Sequence, residues 1–278
     1  MNQNTDYFAL NQNLWNQWTG WHVRSKFYNV EGVLAGAEPL REIELGLLDD
    51  LSGQRLLHLQ CHFGLDSLAL ARRGAHVTGV DLSPKAVAAG RVLAERTGLP
   101  LDFICCNVYD TLKHVPTNHF DVVYVSYGTI IWLPDLKPWA RVVAGALRPG
   151  GRFLFVEFHP VLMMLSEDNL ELQYAYFNRG PVLELATGSY ADRTQTAAHP
   201  SATWNHSLAD VIAALLEAGL QLTSFAEYDF SPFDCFPGLK ETAPGRYQLT
   251  SRPGLLPMIF SLTAEKPPTA SPNRSAGK

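Results

Sequence analysis

Along the chain, short continuous apolar runs alternate with stretches whose apolar residues recur at helical spacing. Leu56 to Leu59 is an apolar run of the kind a buried strand shows. Cys61, His62, Phe63 and Gly64 follow as a tight loop. A helix is predicted over Asp66 to Arg73, with Leu65, Leu68 and Ala69 on one face and Gly74 where a C′ glycine ends a helix. His76 to Val80 reads as the second strand, with Asp81 at its carboxyl end. Ser83 and Pro84 have the N-cap and first-turn chemistry of a helix that runs to Thr97 and stops at Gly98-Leu99-Pro100. Leu101 to Cys106 is the third strand. Phe120 to Val125 is the fourth, apolar throughout as a fully covered parallel strand is. A helix over Pro134 to Leu147 turns Trp139, Val142, Val143 and Ala146 inward, and Arg148-Pro149-Gly150-Gly151 leads into a strand from Arg152 to Phe158. Ser207 caps a helix over Leu208 to Ala218 that Gly219 ends. Strands are predicted at Gln221 to Tyr228 and Leu256 to Ala264, the returning pair making the last strand antiparallel. Ahead of the first strand, Leu40, Ile43, Leu47 and Leu51 predict a helix over Pro39 to Leu51.

Three segments stand outside this alternation. Met1 to Gly36 crowds Tyr7, Phe8, Trp15, Trp18, Trp21, Phe27 and Tyr28 together and reads as an aromatic helical cover, packed on the main domain or acting as a lid. Residues from about 160 to 205 are too many for a plain connection. The alternation at Val182, Leu183 and Leu185 suggests an inserted hairpin or cap. Residues 266–278 are Pro- and Ser-rich, with no core-forming content, and are expected to be disordered. The main domain is thus expected over residues 37–265.

Composition narrows the function. The 278 residues are 46% hydrophobic and 18% charged, with 22 basic against 27 acidic residues. Duplex nucleic acid needs clustered Lys and Arg, and no such cluster is present. No apolar run reaches the length of a membrane span, and the first residues lack a basic-then-apolar signal. The 4 cysteines include no CxxC pair, so neither a zinc site nor a disulfide framework is indicated. These features suggest a cytoplasmic enzyme with reduced thiols and no metal.

A β-α-β unit with an acid after its second strand is a nucleotide-binding half: free N–H groups open the helix, and the carboxylate accepts ribose hydroxyls. The runs LLHLQCHFG, VTGVDLSP, FDVVYVSYG and LRPGGRFLFVEFHP, in this order, resemble the class I S-adenosylmethionine-dependent methyltransferases. The resemblance covers roughly Leu40 to Ala264 and implies a Rossmann-like, doubly wound seven-stranded α/β sheet with an antiparallel last strand. The family's first loop is usually glycine-rich; here Gln60 and His62 stand at glycine positions and Gly64 remains. The resemblance implies that S-adenosylmethionine is held by Gln60, Cys61, His62, Gly64 and Asp66, by Asp81 and Leu82, by Asn107 and Val108, and by Ser126. Asn107 is expected at the adenine or, alternatively, in a turn. The missing Asn/Asp-Pro-Pro-aromatic motif after the fourth strand speaks against DNA-base methylation.

Methyl transfer needs an acceptor held in line with the S–CH3 bond and shielded from water. Tyr28, Tyr127, Trp132, Tyr190 and Trp204 are the expected walls of a small-molecule acceptor site, with Phe233 beside them. Where a base is needed, His159, His22 and His206 are the candidates. His58, inside the first strand, reads as a buried, satisfied histidine. Two other functions compete: an S-adenosylmethionine-binding regulatory protein that methylates nothing, and an NAD-dependent reductase, disfavoured by the lack of GxGxxG.

Overall fold

A computed structural model describes residues 6–166, 171–236 and 238–268. From residue 269 on, the tail expected to be disordered lies outside the described residues, as do residues 1–5 of the N-terminal segment and 167–170 of the insertion.

The sheet is built from β1 (Arg55–Leu59), β2 (His76–Asp81), β3 (Leu101–Cys105), β4 (Phe120–Ser126), β5 (Leu147–Phe158), β8 (Gln221–Tyr228) and β11 (Ile259–Glu265). Its seven strands lie in the order β3-β2-β1-β4-β5-β11-β8. The first five run parallel, and β11 inserts antiparallel between β5 and β8. This is the expected doubly wound sheet with an antiparallel last strand. Order reverses at β1 and β4, so loops after these strands open onto one crevice, where α/β sheets bind ligands.

Helices cover both faces. On one, α6 (Leu136–Ala146) and α7 (Leu208–Glu217) bury Trp139, Val143 and Leu215 against Phe153, Phe155 and Phe260. On the other, α4 (Leu65–Arg72) and α5 (Pro84–Thr97) pack Leu68 and Val87 against Leu56, Val77 and Tyr124. Local chemistry agrees with these bounds. The Ser83 hydroxyl accepts from Ala86 N–H ahead of Pro84, and Ser207 forms a capping box with Asp210.

Three features differ from the sequence reading. The helix expected over Pro39 to Leu51 is only α3 (Glu42–Leu47); Leu48 is extended at φ −83° and ψ 129°. Leu51 is buried all the same, because the helical spacing marks which residues face the core and not the backbone between them. Strand β5 starts at Leu147, upstream of the expected turn, which is carried within it by Gly150 at φ 74°. The loop after β8 contains a hairpin, β9 (Lys240–Ala243) with β10 (Arg246–Gln248), turning at Gly245 with φ 70°. Its Pro-Gly pair was the available signal.

Two further pieces roof the crevice. Helix α1 (Tyr7–His22) is capped by Asp6, which accepts from Phe8 and Ala9 N–H, and it buries Leu14, Trp18 and His22. A short helix, α2 (Val30–Leu34), follows. Within the insertion, β6 (Val182–Thr187) pairs antiparallel with β7 (Ala198–Thr203). The Asn11 amide donates to Ala202 O at 2.7 Å and accepts from Ala202 N–H at 3.0 Å, tying α1 to β7.

Candidate active site

A cavity of about 710 Å³ opens at the carboxyl ends of β1, β2 and β4, beneath α1 and the β6–β7 hairpin. Its floor is the β1–α4 loop. Gln60 and His62 hold φ of 54° and 52°, the left-handed region that favours glycine. Each side chain is fixed elsewhere. Gln60 Nε2 donates to Thr129 O at 2.8 Å, and His62 Nε2 shares a 2.9 Å hydrogen bond with His22 Nδ1. The loop keeps glycine geometry at two non-glycine positions, and their side chains join it to the loop after β4 and to α1. Gly64 has no such freedom. Its φ is 76°, and a Cβ there would sit 2.4 Å from the Phe103 ring. That ring also fills the space against Gly79 and Gly90.

Asp81 ends β2 beside this loop. Oδ2 accepts from His62 N–H and Oδ1 from Ser83 N–H, both at 2.8 Å. Burial pushes its carboxyl up to about 6, opposed by those backbone donors. Its two oxygens keep further acceptor positions beside these backbone donors, which fits a pair of ribose hydroxyls. Asp66 opens α4 and accepts from the Ser126 hydroxyl at 3.2 Å. Burial raises it too, to about 6. Asn107 serves the turn: its Oδ1 accepts from Tyr109 N–H at 3.0 Å, while Asn107 and Val108 both line the cavity. Cys61 and Leu82 complete the cofactor residues expected from sequence, and all of them face this one space.

The expected acceptor residues Tyr28, Tyr127, Trp132, Tyr190 and Trp204 also line it, with Phe233. The Tyr28 and Tyr190 hydroxyls meet at 2.5 Å, closing the wall between the segment after α1 and the one after β6. Trp15 and Trp18, from α1, add edge-on contacts to Trp132 at 5.3 and 6.1 Å between ring centroids. Their signal was the N-terminal aromatic cluster itself. Glu44 on α3 is a group the sequence did not expose. It is 2% exposed and accepts from the Tyr127 hydroxyl at 2.5 Å. Burial, with Asp66 nearby, pushes it up to about 7. Arg41 and Glu184 line the cavity as well.

The three histidines proposed as bases are not brought to the cavity. His159 has both ring nitrogens engaged, Nε2 with Glu227 at 2.8 Å and Nδ1 accepting from Val161 N–H at 3.1 Å. His206 Nε2 donates to Leu133 O at 2.7 Å. His22 is fully buried, one bond behind His62, and its Nε2 meets Ser189 Oγ at 3.0 Å. Burial lowers it to about 3 despite the nearby Asp192 carboxylate, so it stays neutral. Each is held by its hydrogen bonds away from the cavity. His58, whose Nδ1 meets Ser67 Oγ at 2.7 Å, is buried in β1 but does line the cavity. Glu157 is likewise structural: buried, it accepts from the N–H groups of Gly128, Thr129 and Ile130 and fixes the loop after β4.

Comparison with known proteins agrees with this geometry. Residues 57–155 match the methyltransferase domain family. The ubiquinone biosynthesis O-methyltransferase of Xanthomonas euvesicatoria pv. vesicatoria is 34% identical over 216 residues, 76% of this chain and 82% of the relative. That of Idiomarina loihiensis is 33% identical over 137 residues, 48% of this chain; the match spans 56% of that relative, about half its length. The geranyl diphosphate C-methyltransferase of Streptomyces coelicolor A3(2) superposes with a TM-score of 0.60 at 15% identity, over 94% of this chain and 98% of that one. At that identity it speaks for the fold alone. The chain belongs to the class I S-adenosylmethionine-dependent methyltransferases.

Proposed function

We propose that this protein transfers a methyl group from S-adenosylmethionine to a hydroxyl oxygen of a small aromatic acceptor. The observation that carries the reading is the cavity into which the half-buried Asp81 carboxylate, the left-handed β1–α4 loop and an aromatic wall all face. The relatives named as O-methyltransferases support oxygen as the receiving atom.

When bound, S-adenosylmethionine supplies a methyl already activated on a positive sulfur. Asp81 would hold the ribose hydroxyls, with Asn107 and Val108 at the adenine. Gln60, Cys61, His62, Gly64, Asp66 and Ser126 would surround the amino-acid end. Tyr28, Tyr127, Trp132, Tyr190 and Trp204 would orient the acceptor and exclude water. Their faces suit a site that carries positive charge before transfer. We place the protein in the cytoplasm. Among the described residues no helix is long and apolar enough to cross a membrane.

The test is incubation of the purified protein with methyl-labelled S-adenosylmethionine and a metabolite extract, followed by identification of the labelled product. A labelled aromatic methyl ether is expected. Tight S-adenosylhomocysteine binding with no labelled product would move the protein to the non-catalytic reading. NAD binding without S-adenosylhomocysteine binding would restore the reductase.

A further inference from the structure

The hairpin over the cavity does not bury the leucines of its first strand. Leu183 and Leu185 on β6 are 55% and 67% exposed, while Val182 and Glu184 line the cavity. Register pairs Val182 with Thr203 and Glu184 with Ser201, and Ser201 and Thr203 line the cavity too. Three of these four cavity-lining residues are polar, with the carboxylate of Glu184 at the exposed edge of the cavity, while two leucines are left to solvent. A strand that only closed a core would turn its leucines inward, since a one-residue slip exchanges the two faces.

Glu184 belongs to none of the ion pairs among the described residues. Its Oε1 accepts from the Tyr174 hydroxyl, and a carboxylate accepts several such bonds. Trp204 follows β7 directly, and its N–H donates to Ile131 O at 2.8 Å, which holds the hairpin beside Trp132. Trp132 and Trp204 line the same cavity as Glu184. A carboxylate and indole rings lining one cavity favour a cation: the rings attract it through their faces and the carboxylate through its charge.

We infer that Glu184 is a specificity-determining residue that selects an acceptor bearing a positively charged amine. The inference rests on the methyl-acceptor reading of the cavity. Three catechols of matched shape test it on the full protein saturated with S-adenosylhomocysteine: dopamine (cationic), 4-methylcatechol (neutral) and 3,4-dihydroxyphenylacetate (anionic). Calorimetry should rank them in that order, with about tenfold between first and last. Glu184→Gln should bring dopamine to within about twofold of 4-methylcatechol, as expected when only the charge term is removed. Equal affinities, a tightest anion, a ranking unmoved by Glu184→Gln, or no binding of any probe at millimolar concentration would each overturn the inference. The affinity of each protein for S-adenosylhomocysteine separates the two levels. Normal cofactor affinity with any of those results overturns this inference alone. An unaltered protein that does not bind S-adenosylhomocysteine overturns the methyltransferase reading and this inference with it.

Discussion

Asp81 is a half-buried and Glu44 a buried carboxylate in the cavity, and their environments give them different consequences. Asp81 is held by backbone donors at 2.8 Å on each oxygen, so its geometry persists without ligand. Asp81→Ala should weaken S-adenosylhomocysteine binding by about 2–3 kcal/mol, because the ribose hydroxyls lose a charged acceptor. Calorimetry on the folded variant checks this. With its carboxyl raised to about 6, the unaltered protein should also bind S-adenosylhomocysteine less tightly as pH falls below that value. Glu44 acts on stability. Its folded-state value of about 7 lies above its ordinary 4.5, so the folded state holds the proton more strongly. The stabilisation is complete at low pH and is lost as pH rises from about 4.5 through 7. Glu44→Gln, which mimics the protonated form, escapes that loss. Relative to the unaltered protein, its urea-unfolding free energy should rise by about 2–3 kcal/mol between pH 5 and pH 8. A pH-independent difference would show that Glu44 is not the titrating group.

Within elements, the β1–α4 loop shows how one backbone path is held by unlike residues. Gln60 and His62 occupy left-handed positions at a cost of order 1 kcal/mol each, offset by hydrogen bonds to Thr129 and His22. Gly64 cannot be replaced on those terms, because any Cβ meets Phe103. Gly64→Ala should destabilise the fold by about 2–4 kcal/mol, the sum of left-handed strain and overpacking. Adding Phe103→Leu should recover part of this in thermal melts, and an uncoupled pair would remove Phe103 as the cause. The elements themselves were legible, because Ser83-Pro84, Gly74, Gly98 and Gly219 punctuate the chain locally. The cofactor side of the site was legible for the same reason: Asp81 and the loop lie within one β-α-β unit. The acceptor side was legible only in part. Glu44 meets Tyr127 across 83 residues, and His159 meets Glu227 across 68. No local periodicity encodes which polar side chain such a partner will satisfy. The histidines therefore looked available in sequence and are occupied in the fold.

Across the whole molecule, α1 joins parts of the site that are remote in the chain. Gln12 donates to Leu82 O at 2.9 Å, and Asn16 accepts from the Ser83 hydroxyl at 2.7 Å, next to Asp81. On the opposite side Asn11 bonds both backbone groups of Ala202, and Trp18 Nε1 donates to Gly188 O at 2.9 Å. We propose that α1 carries the effect of ligand binding at the β2 end into the β6–β7 hairpin, which makes the N-terminal segment a lid and not only a packed cover. A ligand that favours the closed arrangement raises the free energy of local opening in every element that must open with it. S-Adenosylhomocysteine should therefore slow amide exchange in Tyr7–His22 and in Ala198–Thr203 together. Asn11→Ala removes both bonds to Ala202. It should leave the slowing in α1, where Gln12 and Asn16 still reach the β2 end, and abolish it in the hairpin. Equal exchange in the free and bound protein would mean that α1 is a fixed part of the core. Slowing of the hairpin that survives Asn11→Ala would mean that the ligand reaches it by another route, through Trp18 and Gly188 or through the cavity wall itself.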